Sequence, residues 1–229
     1  MKRILLFTMA LASFSVEGQD IVTSNFFLGE TELIQTTRHF RKVELGTYSY
    51  TDSEKILILE KQYLSPTYDP SVIDDFALEA DLRFNAYNGQ MEFAKDGMIY
   101  YLKKEEGRTV DFENVKYKVY DLFGSLEFLV VELEGKNSLL SFQSSDFILP
   151  KRRATTYGYH IRANFRRNTD EFFLALEDNQ LIKIPRQKRE FYAIFGSNAK
   201  SIKNFVKKNK LSITNRNDLK KIVQFSNEL

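Results

Sequence analysis

Between residues 82 and 102 the chain reads LRFNAYNGQMEFAKDGMIYYL, short alternations of apolar and polar residues cut by Asn88-Gly89 and Asp96-Gly97. Alternation with a period of two turns one side of an extended segment toward a core and the other toward water. Asn-Gly and Asp-Gly supply the positive φ angles of tight hairpin turns. The stretch therefore predicts three antiparallel strands in a meander. Runs of the same kind recur at 55–59, 115–122, 126–133, 138–142, 157–165, 171–176 and 181–184, with Gly135 and Asn137 bracketing one turn and Asp178-Asn179 another. Short turn-bounded strands at this spacing predict a mainly β body: an antiparallel sheet, sandwich or open barrel.

The pattern changes near Ser197. Ile202, Phe205 and Val206 fall on one helical face while Lys200, Lys203, Lys207 and Lys208 fall elsewhere, with Ser197 as the expected N-cap. A second helix is predicted from Asn215, capped by that side chain, with Asp218 in its first turn and Leu219, Ile222 and Val223 buried. Leu211 and Ile213 in the link are expected between the two. The fold class is thus mainly β with a C-terminal α-helical hairpin, divided as a β-rich domain over 19–190 and the hairpin over 191–229, packed on the sheet. The segment 31–42 reads equally as a strand pair or a short helix.

Residues 1–18 have the form of a secretory signal peptide. Lys2 and Arg3 precede the apolar run ILLFTMALASFSV, which is too short to span a bilayer, and Val16 and Gly18 place cleavage after Gly18. The mature chain is expected to be extracytoplasmic, in the periplasm or secreted, with no integral membrane segment. The absence of Cys excludes disulfides, a thiol nucleophile, thiolate-bound zinc or iron–sulfur clusters and a lipoprotein anchor.

Three pieces of the chain, the meander with its NAYNGQMEF and DGMIYYL, the later FFLALEDNQLIKIP, and the closing SIKNFVKKNKLSITNRNDLKKIVQFSNEL, together resemble secreted proteins of uncharacterised function common in Bacteroidetes-type bacteria. The resemblance covers the last two thirds of the mature chain and rests on turn glycines, alternating aromatics and the lysine-rich ending. It implies an extracytoplasmic β-rich protein with a helical tail, and it implies no activity or site residue.

Catalytic patterns are sparse. The chain has no G-x-S-x-G, H-E-x-x-H, P-loop or G-x-G-x-x-G, and its only histidines are His39 and His160, each read as a polar strand residue. Asp69, Asp74 and Asp75 read as a solvated acidic loop. Glu132 and Glu134 share one strand face and read as a wet sheet surface, although such acids, like Glu105 and Glu106, are also the raw material of a glycoside hydrolase. No catalytic residue, cofactor or metal site is assigned.

Charge is the clearest asymmetry. Residues 19–150 carry 13 Lys/Arg against 23 Asp/Glu, whereas 151–229 carry 18 against 7. Within the basic part, Lys151, Arg152, Arg153, Arg162, Arg166, Arg167, Arg186, Lys188 and Arg189 alternate with aromatics, a composition suited to carboxylate or phosphate recognition. The competing explanation is a solvated basic face balanced by the acidic part. Three functions are carried forward: first a non-catalytic interaction or adaptor protein whose partner is another envelope protein, then a binder of an anionic glycan or lipopolysaccharide through 151–189, and last a hydrolase using acidic residues. Nucleic acid is not expected as a partner.

Overall fold

The computed structural model describes residues 51–73, 78–95, 98–112, 114–152, 160–177 and 180–229, together with the short paired strands Phe27–Leu28 (β1) and Thr31–Glu32 (β2). Residues 1–18, His39, most of 31–42, Asp74, Asp75 and the turns 96–97 and 178–179 lie outside the described residues.

The first helix is Asp52–Glu60 (α1), where the alternation of 55–59 had predicted a strand. A capping box decides the matter. The Thr51 hydroxyl accepts a hydrogen bond from the Glu54 backbone at 3.2 Å, and the Glu54 carboxylate accepts one from the Thr51 backbone at 2.9 Å. A five-residue apolar run does not distinguish helix from strand by its period, so the cap sets the outcome.

Ten strands then form one antiparallel sheet: Asp69–Ile73 (β3), Leu78–Asn85 (β4), Gln90–Lys95 (β5), Met98–Tyr101 (β6), Thr109–Phe112 (β7), Val115–Leu122 (β8), Ser125–Leu133 (β9), Ser138–Phe142 (β10), Glu171–Ala175 (β15) and Leu181–Lys183 (β16). Their spatial order is β16-β15-β10-β9-β8-β7-β3-β4-β5-β6. The β4–β5–β6 meander is the one read from the sequence, and Gly89 at its first turn adopts φ +66°. Asp69 opens β3, and Pro70 pairs with β4 beyond the part of the strand that pairs with β7, where a missing N–H does no harm. At the β8–β9 turn Phe123 itself takes φ +56° beside Gly124, and its ring is 77% exposed.

Between β10 and β15 the chain leaves the sheet. Ser145–Ile148 (β11) pairs with Asn164–Arg167 (β14), and Lys151–Arg152 (β12) with His160–Ile161 (β13), in a single continuous register, so these strands belong to one hairpin arm. Its root is fixed by Phe147, Phe165 and Tyr87, with ring centroids 5.0 to 6.5 Å apart, and by the Ser145 backbone donating to the Ala86 carbonyl at 2.9 Å.

The core follows the strand period. One face of β3–β9 contributes Leu82, Phe84, Met91, Phe112, Phe128 and their neighbours to one cluster. At the other end of the sheet adjacent residues diverge: Leu140 and Phe173 join a cluster with Tyr120 and Leu129, whereas Leu139 and Leu174 face the helices. The helices are Lys188–Ala193 (α2), Ala199–Lys208 (α3) and Arg216–Asn227 (α4). The helical part is therefore a hairpin preceded by a short extra helix. Phe191, Ile202, Ile213, Leu219, Ile222 and Val223 bury against Leu139 and Leu174, and the stacked rings of Phe205 and Phe225, 4.1 Å apart, join α3 to α4.

Asn215 caps α4 as expected, its side chain accepting from the Asp218 backbone at 3.1 Å. Ser197 does not cap α3. It sits inside a 3-10 turn, Gly196–Asn198, and the chain enters the helix already wound, with Asn198 as N-cap and no side-chain cap bond. No described helix is long and apolar enough to cross a membrane.

Candidate anion-binding groove

The nine basic residues singled out by sequence do not form one patch. Lys151 and Arg152 make up β12, and Arg153 lies outside the described residues. The arm's arginines are matched by acids: Arg162 with Glu54 on α1, Arg166 with Asp146 at 3.5 Å across the β11–β14 pair, and Arg167 with Asp170 at 2.8 Å. The Thr51 backbone bond, and after it Arg162, holds the Glu54 carboxyl below its ordinary range. For Arg162 and Arg166 the balancing of the basic by the acidic part is realised side chain by side chain, whereas Arg167 finds its acid within the basic part.

Arg186 is exposed in the turn before α2, and Lys188 and Arg189 begin that helix. These last two meet cations that the sequence reading left on a solvated face. A groove of about 820 Å³ runs between α2 and α3, with Lys188 and Arg189 on one side and Lys200, Lys203, Lys207 and Lys210 on the other. Lys200, Lys203 and Lys207 are spaced by three and four residues and so project from one side of α3. No carboxylate among the described residues lines the groove. Among the described residues none of the six cations forms an ion pair.

Helix electrostatics explains only part of this arrangement. Lys207 lies in the last turn of α3, where the carbonyl end of the helix attracts cations, and Lys210 follows just after it. Lys200 lies in the first turn, where the helix dipole repels it, and no acid in that turn offsets it. Lys203 and Lys207 repel each other one turn apart. Lys210 adds backbone strain at φ +52°, in the left-handed conformation that glycine normally supplies after a helix.

The floor is apolar. Val206 is 5% exposed, Leu211 is half-buried, and Ala193 and Ala199 stand on opposite sides with Tyr192 beside them. Burial raises the Tyr192 hydroxyl above its ordinary value, and like any tyrosine it is protonated at neutral pH.

The acid pairs form no facing carboxylates. Glu132, read as wet, is buried: it accepts from the Ser141 hydroxyl at 2.8 Å and pairs with Lys220 at 2.8 Å and Arg216 at 3.3 Å. A register shift between Leu139 and Leu140, where β10 meets β9, aims Glu132 at α4, while Glu134 is exposed and paired with Lys116. Glu105 is held by Lys103 and Arg108. The most deeply buried acid, Glu92, takes hydrogen bonds from Arg83 at 3.0 and 3.2 Å and from Asn85 at 3.0 Å, with the guanidinium between the rings of Tyr63 and Tyr68. Among the described residues no three His, Cys, Asp or Glu gather as ligands for a metal ion.

Comparison with family models, with curated proteins and with solved structures gives no match for this chain.

Proposed function

We propose that this is a secreted, non-catalytic binding protein of the cell envelope whose ligand is anionic, such as an acidic glycan, and sits in the α2–α3 groove. The observation that carries the reading is the set of six cations around one concave surface that, among the described residues, have no ion-pair partner and no acid beside them in the lining. Arg162, Arg166, Arg167, Arg216 and Lys220 of the C-terminal part, by contrast, have carboxylate partners. Cations kept unpaired beside each other raise the free energy of the empty protein, and an anion removes that cost. The assignment moves the binding face from the 151–189 segment to a surface shared by α2 and α3. Lys188 and Arg189 remain in it and the arm's arginines do not.

The test is equilibrium binding of a uronate-rich or phosphorylated oligosaccharide at low and high salt. Affinity is expected to fall with salt, and each of Lys200→Gln, Lys203→Gln and Lys207→Gln to weaken it by about two- to fivefold. Arg166→Gln and Arg167→Gln are expected to leave it unchanged. Salt-independent binding, or equal losses from the arm variants, would overturn the reading.

A further inference from the structure

The charge of the groove says what sits at its rim, and its floor says what lies beneath. A free polysaccharide is hydrated along its whole length and needs polar groups, or flat aromatic faces, wherever it touches protein. Below the cations the groove offers aliphatic surface: Val206 and Leu211 at the base, and Ala193 and Ala199 on the two walls. Two alanines where larger residues would fit keep the space between the helices open. The volume, about 820 Å³, suits a small-molecule site and exceeds what a bare phosphate or carboxylate fills.

Resting on the anion-binding reading above, we infer that the ligand is an anionic amphiphile, a phosphate-bearing lipid. Its head group is held by Lys200, Lys203, Lys207 and the cations opposite, and the beginning of its acyl chain lies over Ala193, Ala199, Val206 and Leu211. The lysine stems continue the apolar wall while their ammonium groups stay at the rim, an arrangement that takes charge and hydrocarbon from one molecule at once. Tyr192, apolar in its ring and polar at its hydroxyl, stands beside the same floor.

The experiment uses the mature chain and three soluble probes: dihexanoyl phosphatidylglycerol below its micelle concentration, glycerol phosphate as the head group alone, and dihexanoyl phosphatidylcholine as the zwitterionic control. Calorimetric titration is expected to show the anionic lipid binding at least about tenfold more tightly than glycerol phosphate, because methylenes leave water. It is also expected to bind at least about tenfold more tightly than the zwitterionic lipid, from several lysines each worth about fivefold near an anionic head group. Polyphosphate is titrated alongside. If polyphosphate binds with salt-dependent affinity but the lipid is no tighter than its head group, the amphiphile is wrong and the anion site stands. If neither polyphosphate nor lipid binds, both fail. Equal affinity for the two lipids also overturns the inference. The wall pair Ala193→Gln with Ala199→Gln keeps every charge while narrowing the groove between the helices. It is expected to weaken lipid binding about tenfold. The comparisons among probes need only the unmodified chain, so they decide the question whatever the variant does.

Discussion

Arg83 lies between two tyrosine rings, 3.8 Å from the centroid of Tyr63 and 4.4 Å from that of Tyr68, and its Nη2 donates to the Tyr63 hydroxyl at 2.7 Å. Glu92 completes the set, so the Arg83–Glu92 charge pair is capped by aromatic faces and both Glu92 oxygens accept hydrogen bonds. Burial, and after it the negative charge of Glu92, raises the Tyr63 hydroxyl well above its ordinary pKa of 10.0. In the unfolded chain that tyrosine ionises near pH 10, while in the folded protein it keeps its proton to higher pH. The folded state is therefore fully favoured below pH 10 and loses stability as pH climbs past it. Denaturant unfolding followed from neutral to alkaline pH is expected to show that decline, and Tyr63→Phe to make it shallower. The decline should persist in part because Tyr68, Tyr120 and Tyr192 are shifted the same way. None of this was legible in the sequence. Arg83 and Glu92 occupy polar positions of a meander whose apolar positions were read correctly, and a polar position facing a loop that folds over it looks like one facing water.

The elements that were legible carry their signal locally. Asn88-Gly89 gave the β4–β5 turn, and Asn215 with Asp218 gave the start of α4, because each needs only neighbouring residues. Those that were missed depend on distant residues or on competing local signals. β3 and β7 are held in the middle of the sheet by partners on both sides, and α1 is fixed by a cap against its own alternating pattern. The attachment of α4 falls in the same class. Asn227, at its last turn, accepts from the Asn137 backbone N–H and donates to the Asn137 carbonyl, both at 2.9 Å, clasping the β9–β10 turn. A methyl group at Gly135 would collide with the Asn227 amide, so this glycine is required by close approach of a side chain. Gly135→Ala is expected to displace Asn227 and destabilise the protein by about 1 to 2 kcal/mol, measured by thermal unfolding. Asn227→Ala removes the same clasp. The double variant should therefore cost less than the sum of the two single variants, whereas strictly additive losses would show that the clasp is not what the glycine protects.

At the scale of the whole molecule the contrast between an acidic first part and a basic last part has two outcomes. Some of the basic residues are neutralised by acids from elsewhere in the fold, and Glu132 is the strongest joint: a carboxylate on β9, only 3% exposed, met by Arg216 and Lys220 of α4. Glu132→Ala is expected to lower stability by roughly 2 to 3 kcal/mol in chemical denaturation. It removes charged hydrogen bonds from the docked face of α4, while its former partners still reach solvent. A loss of the size typical of exposed ion pairs would mean that apolar packing alone seats the helix. Six further cations line the groove between α2 and α3. The candidate site was thus half legible: Lys188 and Arg189 were singled out, while Lys200, Lys203 and Lys207 were read as an ordinary wet face, since nothing local says that α2 packs beside α3.

The strand order also has a consequence for assembly. Along β16-β15-β10-β9-β8-β7-β3-β4-β5-β6, only two junctions join strands that are not successive in sequence, β3 with β7 and β10 with β15. The chain between β3 and β7 contains the β4–β5–β6 meander, and the chain between β10 and β15 contains the hairpin arm. Each excursion can zip up by itself before its junction closes, so neither junction has to be made across a long unstructured loop. A chain emerging N-terminus first can therefore build the sheet nearly in the order of synthesis. It holds Leu139, Leu174 and the Glu132 carboxylate uncovered until α4 arrives to seal them.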